Sequence, residues 1–198
     1  MKHIIILTLL TIINLFITGC SNDFPLNKDI SIVKTELTDS DSAKVTFPDF
    51  ISGRTTLIGF IYTNCPDICP LTTNNMQLVQ KQLAEEGIDK INFVLISFDP
   101  ERDTPFVLKK YAEIRKLDTQ NWHLVTGEKN NLNRVLDLFD VQAFPGDTTI
   151  SPTGKIRYYM IHTDRISLVD KNHRLRKNYP GSTADIGVIV NDIKKLGE

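Results

Sequence analysis

The chain has 198 residues, of which 23 are Lys or Arg and 24 are Asp or Glu, so its formal net charge is −1. A chain so nearly neutral lacks the basic surface that nucleic-acid binding requires. Its hydrophobic fraction of 41% and charged fraction of 24% are typical of a globular protein that is long enough to form a substantial core. Composition therefore predicts one folded domain without a nucleic-acid partner.

The N-terminus has the pattern of an export signal. Ile4 to Phe16 is an apolar run of about 13 residues, short of the roughly 20 that span a bilayer. The segment Ile17-Thr18-Gly19-Cys20 follows and resembles the lipobox of bacterial lipoproteins, whose cysteine carries the lipid. We predict a signal peptide over 1–19, lipidation at Cys20, a tether over 20–30 and a protein anchored on the extracytoplasmic side of a bacterial membrane. An ordinary signal peptide with a chance cysteine, or an uncleaved anchor, is the alternative.

The rest of the chain alternates strand and helix patterns. Residues 56–62 form a β-rich apolar run that suits a buried strand. The first helix is predicted from Pro70, a favoured first-turn residue, to Gly87, a favoured C-terminal cap. The following elements are predicted from the same signals: strand 91–97, a helix opened by Thr104 and Pro105, strand 122–126, helix 130–139, and strands 156–161, 166–169 and 174–179. A long connection is expected from Phe144 to the first of these last three strands.

The last helix is predicted with Ser182 as its N-cap and Asp185 three residues later. This order of elements predicts an α/β fold, with a central mixed sheet flanked by helices. A cysteine pair between a strand and a helix is typical of a thioredoxin-like fold. Extended segments over residues 31–50 predict extra N-terminal strands, and residues 31–198 are expected to form one domain.

Three cysteines are present, and lipidation of Cys20 would leave Cys65 and Cys69 as a pair. In an oxidising compartment such a pair forms a disulfide or binds a metal. A helical i, i+4 spacing separates the β-carbons by about 5–6 Å, beyond the roughly 3.5–4.5 Å of a relaxed disulfide. Pro66 and Pro70 disfavour a regular helix here, so a bridge stays possible. Two thiolates also suit Cu(I), zinc or iron–sulfur iron. The position of Cys69 beside a helix N-terminus predicts a lowered thiol pKa.

Two cysteines alone under-coordinate most metals, so the histidines and acids are candidates for the remaining ligands. His123 is expected to be a structural strand residue and His173 a solvated turn residue, whereas His162 is equally a ligand or a surface residue. Asp67 is equally a turn residue or a group that acts at the metal. The pair Asp99 and Asp103 is expected in loop and helix-cap positions.

Two blocks resemble the Sco/SenC family, namely Thr63-Asn64-Cys65-Pro66-Asp67-Ile68-Cys69-Pro70 and Ile96 to Pro105. Further blocks follow in the family's order, at residues 122–127 and 162–170. The resemblance implies a thioredoxin-like, membrane-tethered copper protein that assists assembly of the binuclear copper centre of cytochrome c oxidase. It implies one copper ion per chain, Cu(I) or Cu(II), held by Cys65, Cys69 and His162. It also implies the copper-receiving subunit of an oxidase as partner.

This sequence departs from the family pattern at two places. Ile161 stands where the family often has Asp, and Asn172-His173 stands in a turn that usually contains Gly. The first departure lies beside His162 and bears on its setting. Neither departure removes a residue of the implied ligand set.

The leading hypothesis is a metallochaperone rather than a turnover enzyme. The alternative is a metal-independent thiol–disulfide oxidoreductase, in which Cys65 and Cys69 form a redox pair that exchanges with exported protein thiols. A peroxide-reducing relative and a lipoprotein with an inert disulfide are further alternatives. His162 separates the first two, because copper binding needs it and thiol exchange largely does not.

Overall fold

The computed structural model describes residues 24–150, 153 and 156–197. The strands in this part of the chain are β1 (Lys28–Asp29), β2 (Thr35–Asp39), β3 (Lys44–Phe47), β4 (Thr56–Ile61), β5 (Asn92–Ser97), β6 (Trp122–Thr126), β7 (Ala143–Ile150), β8 (Ile156–His162), β9 (Ile166–Val169) and β10 (Arg174–Tyr179). The helices are α1 (Ile68–Glu85), α2 (Pro105–Arg115), α3 (Lys129–Leu138) and α4 (Ile186–Lys195), and a short 3-10 turn covers Asp49–Ile51.

Eight strands form one mixed sheet, in the order β1-β10-β9-β4-β5-β6-β2-β3. The central strands β4, β5 and β6 are parallel, and β9 runs antiparallel to β4. Every residue of β4 and β5 is buried, which explains why their sequences are continuous apolar runs without alternation. The predicted mixed sheet is therefore confirmed, as are the extra N-terminal strands β2 and β3, which pair at one edge.

Helices cover both faces of the sheet. Successive strand residues point to opposite faces, and Gly59 and Phe60 of β4 show what lies on each. A β-carbon at Gly59 would lie 2.7 Å from the sulfur of Met76, so α1 packs directly on that face and leaves no room for a side chain. Phe60 instead packs on Phe139 at the end of α3, with ring centroids 5.3 Å apart. The strand that leads into the cysteine turn is thereby fixed from both sides.

A β-hairpin forms where the sequence predicted a long connection. Strands β7 and β8 pair as a separate two-stranded sheet, with a register shift between Pro145 and Thr148. The prediction of a long connection was wrong. Pro145 and Gly146 are turn signals in the sequence, but the structure accommodates both in β7, at this register shift. The hairpin matters for function, because His162 is its last residue.

Two helix starts also differ from prediction. Helix α1 begins at Ile68, so Pro70 lies inside its first turn, whereas Gly87 does follow its end with a positive φ of 77°. Helix α4 is capped by Asp185, whose carboxylate accepts a hydrogen bond from the amide of Val188. The predicted cap at Ser182 was wrong, because the hydroxyl of Ser182 donates to Asp164 instead.

The N-terminal region is described only in part. The predicted signal peptide and Cys20 lie outside the described residues. Strand β1 pairs with β10 and Ile30 is fully buried, so the folded structure includes residues within the stretch predicted as a tether. Among the described residues, no helix combines the length and apolar character needed to cross a bilayer.

Candidate metal centre

The turn after β4 carries Cys65 and is braced by a buried carboxylate. Asp103 is fully buried and accepts hydrogen bonds from the amide of Thr63 at 2.9 Å, its hydroxyl at 2.5 Å and the hydroxyl of Ser97 at 2.6 Å. Burial raises the pKa of this carboxyl, and the three hydrogen bonds oppose that shift. The helix-cap role expected for Asp103 was wrong, because Thr104 caps α2. Asp103 instead fixes the start of the cysteine turn.

Cys69 lies in the first turn of α1 and is more deeply buried than Cys65. The two residues are 1% and 8% exposed, and both are free thiols. Burial raises the pKa of the Cys69 thiol, and the neighbouring Cys65 adds to the shift. The expectation of a lowered pKa was wrong, because the desolvation of a thiolate outweighs the favourable field of the helix N-terminus.

His162 reaches the cysteines from the end of β8. Its Nε2 atom lies 3.7 Å from Sγ of Cys69, and its Nδ1 lies 3.1 Å from the carbonyl oxygen of Thr163. A carbonyl can only accept, so Nδ1 carries the proton and Nε2 presents its lone pair to the thiol. The ring also packs on Phe98, with centroids 4.8 Å apart, and edge-on to Tyr62 at 5.9 Å. These contacts fix both the orientation and the tautomer of the imidazole.

Asp164 ties the segment after His162 to the cysteine helix. Its carboxylate accepts from the amide of Ser182 at 2.9 Å and from its hydroxyl at 2.6 Å, and it lies 3.3 Å from the hydroxyl of Thr72 in α1. A β-carbon at Gly181 would lie 2.3 Å from the same carboxylate, so only glycine fits beneath it. Sequence reasoning missed Asp164, because its partners are far away along the chain.

A second polar cluster consists of Asp99, Arg102 and Tyr158. Asp99 accepts hydrogen bonds from the Tyr158 hydroxyl at 2.8 Å and from Arg102. The Arg102 guanidinium lies 3.7 Å from the centre of the Tyr158 ring and 5.5 Å from that of Tyr62. Tyr62 is buried, which raises the pKa of its hydroxyl to about 12. Asp99 lies in the loop after β5, as expected, and its hydrogen bonds hold Tyr158 and Arg102 beside Tyr62.

The three donor atoms are close enough to bind one ion. The sulfurs of Cys65 and Cys69 and a ring nitrogen of His162 all lie within 4.8 Å of one another. An ion with three ligands at bond lengths of about 2.0–2.3 Å separates them by roughly 3.5–4.0 Å. The 3.7 Å between Cys69 and His162 already has this value. Two soft sulfurs and an imidazole suit Cu(I), Cu(II) or zinc.

A protein-family model described as SCO1/SenC matches residues 28–198. The chain belongs to this family. The SCO1 protein homolog of Bacillus subtilis (strain 168) is 29% identical over 187 residues, which cover 92% of each chain.

Two solved structures of the Sco family share the fold. The copper-bound ScoI of Bradyrhizobium japonicum is similar with a TM-score of 0.69 and 29% identity, over 83% of this chain and 98% of that one. BsSco, described with a disulfide switch and as a member of the Sco family of cytochrome c oxidase assembly proteins, gives a TM-score of 0.68 at 29% identity, over 87% and 95% of the two chains. These similarities confirm the predicted thioredoxin-like fold.

The other candidate residues of this SCO1/SenC chain lie outside the three-atom cluster. Asp67 precedes α1, is exposed and lines an open cavity of about 360 Å³ in front of Cys65 and His162. His123 packs edge-on against Phe50, and burial lowers its pKa. His173 adopts a positive φ of 58° in the turn before β10, where Ser52 lies 3.0 Å from its ring.

The family departure at Ile161 changes the outer surface of the site. Side chains alternate along β8, so Ile161 and His162 lie on opposite faces of the strand, although Ile161 also lines the open cavity in front of Cys65 and His162. Ile161 is 56% exposed and pairs with Phe144 of β7, which is also exposed. The turn that usually contains glycine has its positive φ at His173, and Asn172 instead donates its amide to Asp170. Neither departure alters the three donor atoms.

Proposed function

We propose that this chain binds one copper ion through the Cys65 and Cys69 thiolates and Nε2 of His162. The observation that carries the proposal is the convergence of these three donor atoms within 4.8 Å. The copper-bound state of the related ScoI supports copper as the ion. Copper is then cargo for transfer, so the protein's task is to hold it in a defined geometry and release it. The residues that brace the turn and the imidazole, Asp103 and Asp164, serve that geometry.

The proposed role is assistance in assembling the copper centre of a cytochrome c oxidase. The description of the similar BsSco as a member of an oxidase assembly family supports it. The oxidase subunit that receives copper would be the partner. Lipidation of Cys20 would hold the domain on the extracytoplasmic face of the membrane. The lipobox-like segment that ends at Cys20 supports this anchoring.

A second candidate is thiol–disulfide exchange with the same pair. The sulfurs of Cys65 and Cys69 lie within 4.8 Å, and Cys65 lies in the turn before α1 rather than within the helix. The pair would lose two electrons and two protons to a partner disulfide, which would become two thiols. The disulfide switch described for BsSco supports this candidate. The two functions exclude each other in time, because oxidation removes both sulfur ligands.

Copper titration of the reduced and the oxidised protein tests copper binding. We expect one ion per reduced chain, little binding to the oxidised chain, and a large loss of affinity for His162→Ala. His173→Asn is the matched control, because asparagine tolerates the left-handed conformation of that turn residue. Unchanged copper affinity in His162→Ala would contradict the three-ligand site and would favour thiol exchange.

Deletion of the gene and complementation test the role in assembly. We expect the deleted strain to lose copper from its cytochrome c oxidase, and the wild-type chain to restore it. Cys65→Ser and His162→Ala are expected to fail. Cys20→Ser is expected to leave the membrane fraction and to complement poorly. Full oxidase copper in the deleted strain would refute the proposed role.

A further inference from the structure

Met160 lies two residues before His162 in β8 and lines the open cavity in front of Cys65 and His162. We propose that the sulfur of Met160 provides an additional, soft ligand when the bound copper is Cu(I). This inference rests on the proposed copper function and deepens it, because it addresses which oxidation state the site prefers.

The strand places Met160 on the same face as His162. Side chains two residues apart in a strand share a face. Tyr159 and Ile161 are 64% and 56% exposed, whereas Met160 and His162 are partly buried on the inner side. Met160 and His162 line the same open cavity as Cys65, whose rim also includes Tyr159 and Ile161. Met160 therefore lies on the His162 face of β8 and borders the cavity in front of two of the three proposed ligands.

Tyr62 holds the backbone of Met160 close to the thiols. The Tyr62 hydroxyl accepts a hydrogen bond from the Met160 amide at 3.4 Å. The same hydroxyl interacts with the side chain of Cys65. A single buried hydroxyl thus bridges the first cysteine of the pair and the backbone that carries the thioether. Methionine is long and unbranched, so its sulfur can adjust its position from that fixed backbone.

The chemistry of a thioether suits Cu(I) in this place. Thioether sulfur is a soft donor that favours Cu(I), and it commonly forms a weak, long bond to copper. It is neutral, so it adds no further charge when the two buried cysteines bind copper as thiolates. The proposal therefore predicts a selective effect, in which loss of the thioether weakens Cu(I) binding more than Cu(II) binding.

The chain contains its own control methionine. Met76 is fully buried, with its sulfur above Gly59 in the core. It lies seven residues after Cys69 along α1, which is about 10 Å along the helix axis. Met76 is therefore out of reach of the ion. The third methionine, Met1, lies in the predicted signal peptide.

Selenomethionine labelling gives a direct test. We would load the reduced, labelled protein with Cu(I) and measure X-ray absorption at the copper edge. A selenium neighbour of copper is expected in the wild type and in Met76→Leu, and it is expected to be absent in Met160→Leu. Leucine is close to methionine in volume, so we expect both variants to fold.

Competition with a Cu(I) chelator adds a thermodynamic readout. Met160→Leu is expected to lower Cu(I) affinity on the order of tenfold, with a smaller change for Cu(II), whereas Met76→Leu leaves both unchanged. If only Cu(I) binding falls tenfold, the copper reduction potential falls by about 59 mV.

The outcomes distinguish failure of the role proposed for Met160 from failure of the proposed copper function. A wild-type copper spectrum without selenium refutes the role of Met160, whatever Met160→Leu does to affinity, and it leaves the three-ligand site in place. Failure of the reduced wild type to bind copper at all refutes the proposed function itself. If Met160→Leu does not fold, the wild-type and Met76→Leu spectra decide the question.

Discussion

Replacement of Asp164 by alanine tests whether the segment after β8 sets the position of His162. The carboxylate accepts two hydrogen bonds from Ser182, through its amide and its hydroxyl. The Thr72 hydroxyl at 3.3 Å adds less, because it also lies 3.1 Å from the carbonyl of Ile68 and has one proton to donate. Hydrogen bonds to a charged group contribute about 1.5–3 kcal/mol each. Since the site is only partly buried, we expect Asp164→Ala to cost about 3 kcal/mol.

That loss leaves most of the molecules folded, because domains are stable by about 5–15 kcal/mol. In thermal unfolding, about 3 kcal/mol corresponds to a fall in Tm of roughly 6–12 °C for a chain of this size. Copper affinity is expected to fall about tenfold, as it does when groups that orient metal ligands are removed. Asp164→Asn keeps one acceptor oxygen and should give intermediate values in both assays.

The control is Asp185→Ala, which removes the N-cap of α4. Loss of such a cap costs about 1 kcal/mol, and copper affinity should not change. If Asp164→Ala destabilises the fold but binds copper as tightly as Asp185→Ala does, then Asp164 supports the structure without setting the ligand geometry, and the reasoning is refuted.

Three further predictions concern the supports of the fold and the site. Asp103→Asn leaves one acceptor for three donors, so we expect a loss of about 2 kcal/mol in denaturant unfolding together with weaker copper binding; unchanged copper binding would contradict its bracing role. Gly181→Ala places a β-carbon 2.3 Å from Asp164, and it should reproduce both effects of Asp164→Ala; full stability would show that the segment yields. Burial opposes the ionisation of Asp192, but hydrogen bonds from Lys177 and its neighbours outweigh it and lower the pKa below 3.8. Its contribution to stability is therefore present above pH 3.8 and is lost as the pH falls through the folded-state pKa, so the stability difference between wild type and Asp192→Asn should shrink below about pH 4; a difference independent of pH would contradict the ion pair.

The elements that the sequence predicted well are those with strong local signals. Strand β4 and helix α1 follow from an apolar run, from proline in the first turn and from Gly87 at the end, and the structure has them with shifts of a residue or two. Strand β7 has no such signal, because Pro145 and Gly146 interrupt it and most of its residues are exposed. The hairpin depends on the pairing of β7 with β8, which a short stretch of the sequence does not reveal.

The candidate site divides in the same way. The spacing of Cys65 and Cys69 identified them as a disulfide pair or metal ligands from local sequence, whereas the role of His162 followed only from the family resemblance. The structure brings all three together across the fold. Asp103 and Asp164 were not predicted as supports, since an aspartate in a loop has the same local signature whether it faces solvent or accepts buried donors.

The thiol of Cys69 shows why local rules fail inside a site. A cysteine at a helix N-terminus is expected to ionise easily, but this one is almost fully buried and its pKa is raised. The position of Cys69 at the start of a helix can be predicted from the sequence, whereas its desolvation depends on tertiary packing. Metal binding must then displace the thiol protons, as in other thiolate sites.

The central claim is that Cys65, Cys69 and His162 bind one copper ion together. X-ray absorption of the reduced, copper-loaded protein at the copper edge tests it most directly. We expect both sulfur and imidazole neighbours in the wild type, with the imidazole signal lost in His162→Ala and retained in His173→Asn. A spectrum that is the same in the wild type and His162→Ala would contradict the account.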